Sequence, residues 1–90
     1  MKKAVITVVG KDCVGIIAKV CTYLAENRVN ILDISQTIVQ EYFNMMMIVD
    51  ITNIQKDFLL VATDLEKLGE EIGVMIKVQR EDIFDMMHRI

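Results

Sequence analysis

Between Lys3 and Val9, apolar β-branched residues occupy both parities of the chain, the pattern of an inner strand buried on two faces. From Cys13 to Glu26 the period lengthens. Ile16, Ile17, Val20, Cys21 and Leu24 recur at steps of three and four and give a helix one apolar face, which Asn27 can end. Asn30 to Gln40 returns to alternation, with Leu32, Ile34 and Ile38 on one parity and Asp33, Ser35 and Thr37 on the other. This describes a strand with a polar face, suited to a sheet edge. After a turn at Gln40-Glu41, Tyr42 to Ile51 sets Phe43, Met45, Met47, Val49 and Ile51 against Tyr42, Asn44, Met46, Ile48 and Asp50, so the two strands form a hairpin.

Thr52 and Gln55 have the spacing of a capping box. Phe58, Val61, Ala62, Leu65, Leu68 and Ile72 then line a second amphipathic helix that Gly73 ends. Val74, Ile76 and Val78 alternate with Met75, Lys77 and Gln79 in a last strand ending at Arg80. The order β-α-β-β-α-β predicts an α+β fold, a ferredoxin-like sandwich of four antiparallel strands with two helices on one face. One domain spans residues 1–90, with its core in 3–80. The tail, 81–90, carries Ile83, Met86, Met87 and Ile90 at helical spacing, acids at its start and His88-Arg89 at its end. So short a helix does not hold in water alone and must dock, either on the open face of its own sheet or on a second subunit.

The turn between the first strand and the first helix, Val9-Gly10-Lys11-Asp12-Cys13-Val14-Gly15-Ile16, is the candidate site. Asp12 is a suitable N-cap, and the free N–H groups of the first helical turn sit at the positive end of the helix dipole, where a carboxylate is favoured. Gly10 and Gly15 remove side chains on both sides, so a ligand or a second backbone can come close. The same features serve ordinary turn chemistry, and both readings stand at this point.

Composition narrows the partners. Ninety residues at 53% hydrophobic content make one small domain whose thin margin of stability a partner subunit would widen. The net charge is −3, with Lys and Arg scattered, so no positive field gathers nucleic acid or an anionic membrane. The apolar run near the start is too short for a membrane span and lacks a cleavage site, which implies a cytoplasmic protein. Cys13 and Cys21, eight residues apart on one helix, would stand about 12 Å apart, beyond a disulfide. They are expected as free thiols.

Candidate catalytic groups do not assemble. Cys13 has no base except His88 at the far end of the chain, and His88 has no second metal ligand at useful spacing. Glu70-Glu71 and Glu81-Asp82-Asp85 are placed as solvated helix faces and caps, and Met45-Met46-Met47 alternates across a strand as packing. The third strand lacks the aromatic and basic run of an RNA-stacking sheet. No enzyme, metal or cofactor is expected.

Gly10-x-Asp12-x-x-Gly15-Ile16-Ile17 followed by Asn30-Ile31 resembles the signature of ACT domains, small modules that bind amino acids and regulate metabolic enzymes. Leu24-Ala25-Glu26, Asn30 to Thr37 and Gln79 to Asp85 further resemble stand-alone, single-ACT bacterial and archaeal proteins. These are similar to the ACT halves of the glycine-cleavage-system transcriptional repressor. The resemblance implies a non-catalytic regulatory module: a side-by-side homodimer with an eight-stranded sheet, binding an amino acid where the turn and first helix meet the partner. The alternative is a ligand-free dimeric adaptor, and a further regulatory protein is a possible partner of either. The residues it marks for the ligand are Gly10, Lys11, Asp12, Val14, Gly15, Ile16, Asn30 and Ile31, with side-chain contacts at Asp12 and Asn30. Val14 stands where many members have proline, and Gly10 offers no side chain where some members present a polar one.

Overall fold

A computed structural model of the chain describes residues 2–11 and 15–81. Its elements are β1 (Lys3–Gly10), α1 (Ile16–Glu26), β2 (Asn30–Val39), β3 (Tyr42–Asp50), α2 (Phe58–Ile72) and β4 (Met75–Arg80). The strands form one antiparallel sheet in the order β2-β3-β1-β4, the ferredoxin-like arrangement expected from the element order. The apolar strand β1 lies inside the sheet, and β2 and β4 are its edges.

Both helices pack on the sheet face that carries Ala4, Ile6 and Val8 of β1 with Phe43, Met45, Met47 and Val49 of β3. Ile16, Val20 and Leu24 of α1 and Val61 and Leu65 of α2 complete that core. On α2, Gly69 is a packing glycine: a Cβ there would lie 2.8 Å from the Val74 carbonyl oxygen and 2.9 Å from Ile76 Cγ1. The helix thus sits closer to β4 than a larger residue permits. Gly73 closes α2 at φ 80, with the Val74 N–H donating to the Gly69 carbonyl at 2.8 Å.

Four local expectations are corrected. The helix α1 starts at Ile16, with Gly15 at the cap position and no side-chain cap bond, so the cap is not Asp12, which itself lies outside the described residues. Cys13 precedes that helix and also lies outside them, while Cys21 is a free thiol. Thr52 does not cap α2, whose cap position is Asp57. Its hydroxyl and N–H both donate to Asp50 Oδ1, at 2.6 and 2.9 Å, and its oxygen accepts from the Lys2 backbone N–H, tying the exit of β3 to the start of the chain. Finally, β2 carries a bulge between Ile31 and Asp33, which changes parity at Leu32. Leu32 therefore leaves the alternation, and Ile31, Ile34 and Ile38 are the residues opposite core-facing Val49, Met47 and Phe43. The tail helix expected after Glu81 lies outside the described residues.

Candidate functional site

The strand-to-helix turn is built from two glycines with different reasons to be there. Gly10 ends β1 opposite Phe43, and a Cβ on it would run into the Val74 side chain, so the space it vacates is filled by the chain itself. Gly15 has φ 79 and open space around the position of a Cβ, so its requirement is conformational. The Lys19 N–H donates to the Gly15 carbonyl at 3.0 Å as the first turn of α1 closes. The N–H groups of Ile16, Ile17 and Ala18 then have no acceptor within the helix, which is the feature an incoming carboxylate uses.

Around this turn, Lys11 is exposed, and its ammonium sits 5.8 Å from the centroid of the Tyr42 ring at the start of β3. The turn thus leans toward the β2–β3 hairpin. Ile16 is buried in the core and presents only its backbone. Asp12 and Val14 lie outside the described residues.

Asn30 and Ile31 are elsewhere. Asn30 opens β2 opposite Asp50, and Ile31 is half-buried opposite Val49. Gly10 pairs with Phe43 and Asn30 with Asp50 on the same strand β3, and a separation of seven residues along a strand is about 24 Å. The two groups that the resemblance assigns to one ligand stand at opposite ends of the sheet within a chain. No amino acid spans that distance.

Two hollows lie away from the turn. One, of about 520 Å³, is a shallow groove between the helices, lined by Lys19, Tyr23, Asp64, Lys67 and Leu68 among others. In it the Tyr23 hydroxyl donates to Asp64 Oδ2 at 2.7 Å, and Lys56 Nζ makes a 3.0 Å ion pair with the same oxygen while lying 5.6 Å from the Tyr23 ring centroid. Burial and the neighbouring carboxylate push the Tyr23 phenol well above its ordinary range, and the bonds from Tyr23 and Lys56 hold Asp64 below the usual carboxylate range. This network ties α1 to α2. The other hollow, of about 600 Å³, lies at the Arg80 end of β4 with Lys2, Lys3, Lys56 and Phe58 in its wall. Neither is lined by Gly10, Lys11, Gly15, Ile16, Asn30 or Ile31. Among the described residues no group of three or more His, Cys, Asp and Glu side chains is arranged to hold a metal, and no helix is long and apolar enough to cross a membrane.

Comparison with protein families matches residues 2–79 to the model of the ACT domain. The chain belongs to the ACT domain family. The ACT domain here is 64% identical to a UPF0237 protein of Bifidobacterium longum and 53% identical to one of Methanocaldococcus jannaschii, each over 90 residues and the full length of both chains. Among solved structures it superposes on an ACT domain protein from Streptococcus pneumoniae with a TM-score of 0.81 and 44% identity, covering 93% of this chain and 94% of that one. A putative glycine cleavage system transcriptional repressor gives a TM-score of 0.73 at 26% identity, with 88% of this chain covering 45% of that chain. A formyltetrahydrofolate deformylase from Pseudomonas syringae has the same fold at 21% identity and a TM-score of 0.80, over 28% of its own chain. ACT domains as a class are ligand-binding regulatory modules.

Sequence reasoning missed Gly69 and the Tyr23–Asp64–Lys56 network. A glycine inside a helix was a visible signal of close packing at the first. Only the crossing of α1 and α2 reveals the second.

Proposed function

We propose that this ACT domain is a non-catalytic, cytoplasmic regulatory module. It acts as a side-by-side homodimer joined along β2 that binds an amino acid between the turn of one chain and the Asn30 end of its partner. The observation that carries this reading is the separation of about 24 Å between Gly10 and Asn30 within one chain. A two-fold axis perpendicular to the sheet reverses strand direction, so the Asn30 end of one chain meets the turn end of the other. The β2 edge suits such a seam: Leu32, Ile34, Ile38, Val39 and Tyr42 are exposed along it, and every residue of β2 except half-buried Ile31 is exposed. Lys11, resting on Tyr42, draws the turn toward that edge.

At such a site the amino acid's carboxylate meets the free N–H groups of the first helical turn, and its ammonium meets Asp12 or the Asn30 side-chain oxygen. Asp12 repels a carboxylate while the helix dipole attracts one, so the pair selects a zwitterion over a simple anion. The likeness to a putative glycine cleavage system transcriptional repressor makes glycine the first amino acid to test.

A second reading has its own support. The space beside Gly10 is taken by Val74, and Ile16 is part of the core, so two residues of the turn have packing reasons alone, as in a ligand-free dimeric adaptor. Calorimetric titration of the wild type, Asp12→Ala and Asn30→Ala with the twenty amino acids separates the two. Binding by the wild type that weakens in both folded variants supports the dimeric site. Equal affinity in all three places the ligand elsewhere, and no binding by the wild type selects the adaptor.

A further inference from the structure

Basic residues that stand far apart along the sequence come together at one end of the fold. Lys2 and Lys3 at the start of β1, Lys56 ahead of α2 and Arg80 at the end of β4 all line the hollow of about 600 Å³. Only two carboxylates, Asp57 and Glu81, share the wall with these four cations, although the whole chain has a net charge of −3. Strand register causes the gathering. Lys3 pairs with Asp50 and Ala4 with Arg80. The Ile51 N–H donates to the Lys2 carbonyl at 2.8 Å, and the Lys2 N–H donates to Thr52 Oγ1 at 3.0 Å, so the start of the chain is fixed beside the exit of β3. Lys2 has the parity of core-facing Ala4, and Arg80 lies directly across from Ala4, which puts both on the helix-bearing side of the sheet.

Like charges brought into one wall repel, and a multiply charged anion between them reverses the sign of that energy. Lys56 is partly answered already by its 3.0 Å ion pair with Asp64. The remainder of the wall is apolar: Ile51 is buried, and Ile54 and the Phe58 ring are half-buried. A hollow of this size is in the range of about 300–1,000 Å³ that holds small ligands. Cations beside an aromatic ring suit a compound with several phosphate charges and a planar base, the first met by charge-assisted hydrogen bonds and the second by apolar contact. A free amino acid, with one carboxylate and an ammonium of its own, answers this wall poorly. The Gly10 turn stands at the other end of β1, about 20 Å from Ala4, so the hollow is separate from it.

We propose that this hollow binds a nucleoside polyphosphate, with Lys2, Lys3 and Arg80 on the phosphates and Phe58 and Ile54 against the base. The site is complete within one chain and does not depend on dimerisation.

Titration calorimetry of the full chain with ATP, adenosine and tripolyphosphate tests it. ATP should bind at least about tenfold more tightly than adenosine and should weaken as salt rises from about 50 to about 200 mM. Lys2→Gln with Lys3→Gln should weaken ATP at least about tenfold, whereas Lys19→Gln with Lys67→Gln, an equal change of charge on the groove between the helices, should alter it less than about twofold. Phe58→Leu should weaken ATP about threefold or more and leave tripolyphosphate unchanged. Melting curves confirm that each variant folds, and Arg80→Gln, with the same expected loss, decides the matter if the Lys2 and Lys3 variant does not. The proposal is overturned by a wild type that fails to bind ATP, by equal ATP affinity in the wild type and the Lys2 and Lys3 variant, or by an equal loss in the Lys19 and Lys67 control. Unchanged ATP affinity in Phe58→Leu would overturn the contact with the base.

Discussion

Replacing Ile38 by lysine tests the β2 seam at its most exposed apolar position. Ile38 lies opposite Phe43 on the side of the sheet that the helices cover elsewhere, but it is 66% exposed. Fully burying an isoleucine contributes about 1.5–3 kcal/mol, and a two-fold interface contains the residue twice. If dimerisation removes the remaining two-thirds of each side chain from water, the substitution forfeits about 2–4 kcal/mol of association. That weakens the dimer about 30- to 700-fold, before any cost of bringing two ammonium groups together. The monomer loses almost nothing, since the side chain is already largely in water. Leu59→Lys is the control: Leu59 is 69% exposed on α2, away from the seam. Sedimentation equilibrium over a range of concentrations, with thermal melts of each variant, should show dissociation for Ile38→Lys alone. Equal dimer affinity in the wild type and Ile38→Lys, or a seam broken by Leu59→Lys, would refute pairing along β2.

Tyr23→Phe removes the hydroxyl that bonds Asp64 and should lower stability by about 0.5–1.5 kcal/mol, read as a shift in the urea midpoint. Asp50, held down by the Thr52 hydroxyl and N–H, and Asp64, held down by Tyr23 and Lys56, both have folded values below the unfolded one of about 3.9. Their contribution is full above that pH and is lost as pH falls through the folded values, so urea midpoints should drop below pH 4, less steeply in Asp64→Asn. The raised Tyr23 phenol acts at the other end, its contribution present below about pH 10 and lost as pH rises beyond it. Arg28 has φ 60 just after α1, so Arg28→Gly should leave the melting temperature unchanged or raise it by relieving a left-handed residue that costs about 1–2 kcal/mol. A lowered melting temperature would show that the Arg28 side chain has work of its own.

Much of this protein follows from periodicity. The two-sided apolar run of β1, the alternation in β3 and β4 and the three-four spacing of α1 and α2 place each element within a residue or two at most ends, because burying apolar surface works the same way in any compact fold. Element order and the two-sided apolar pattern of β1 together predicted the central strand, and the polar parity of β2 predicted an edge. Local chemistry failed where a side chain had a rival partner. Thr52 has the sequence of a cap but is claimed by Asp50 and Lys2, which are close to it only once β3 and β1 have paired. The bulge at Leu32 is likewise a property of pairing with β3 and reassigns which apolar residues lie on the core side of the sheet. The site was legible as a list of residues but not as a place. Gly10, Gly15 and Asn30 could be named from spacing, but their distance depends on strand register, a long-range quantity that no local pattern encodes. Tertiary structure alone showed that Gly10 makes room for Val74, that Gly15 is needed for its φ, and that the turn and Asn30 stand about 24 Å apart within one chain.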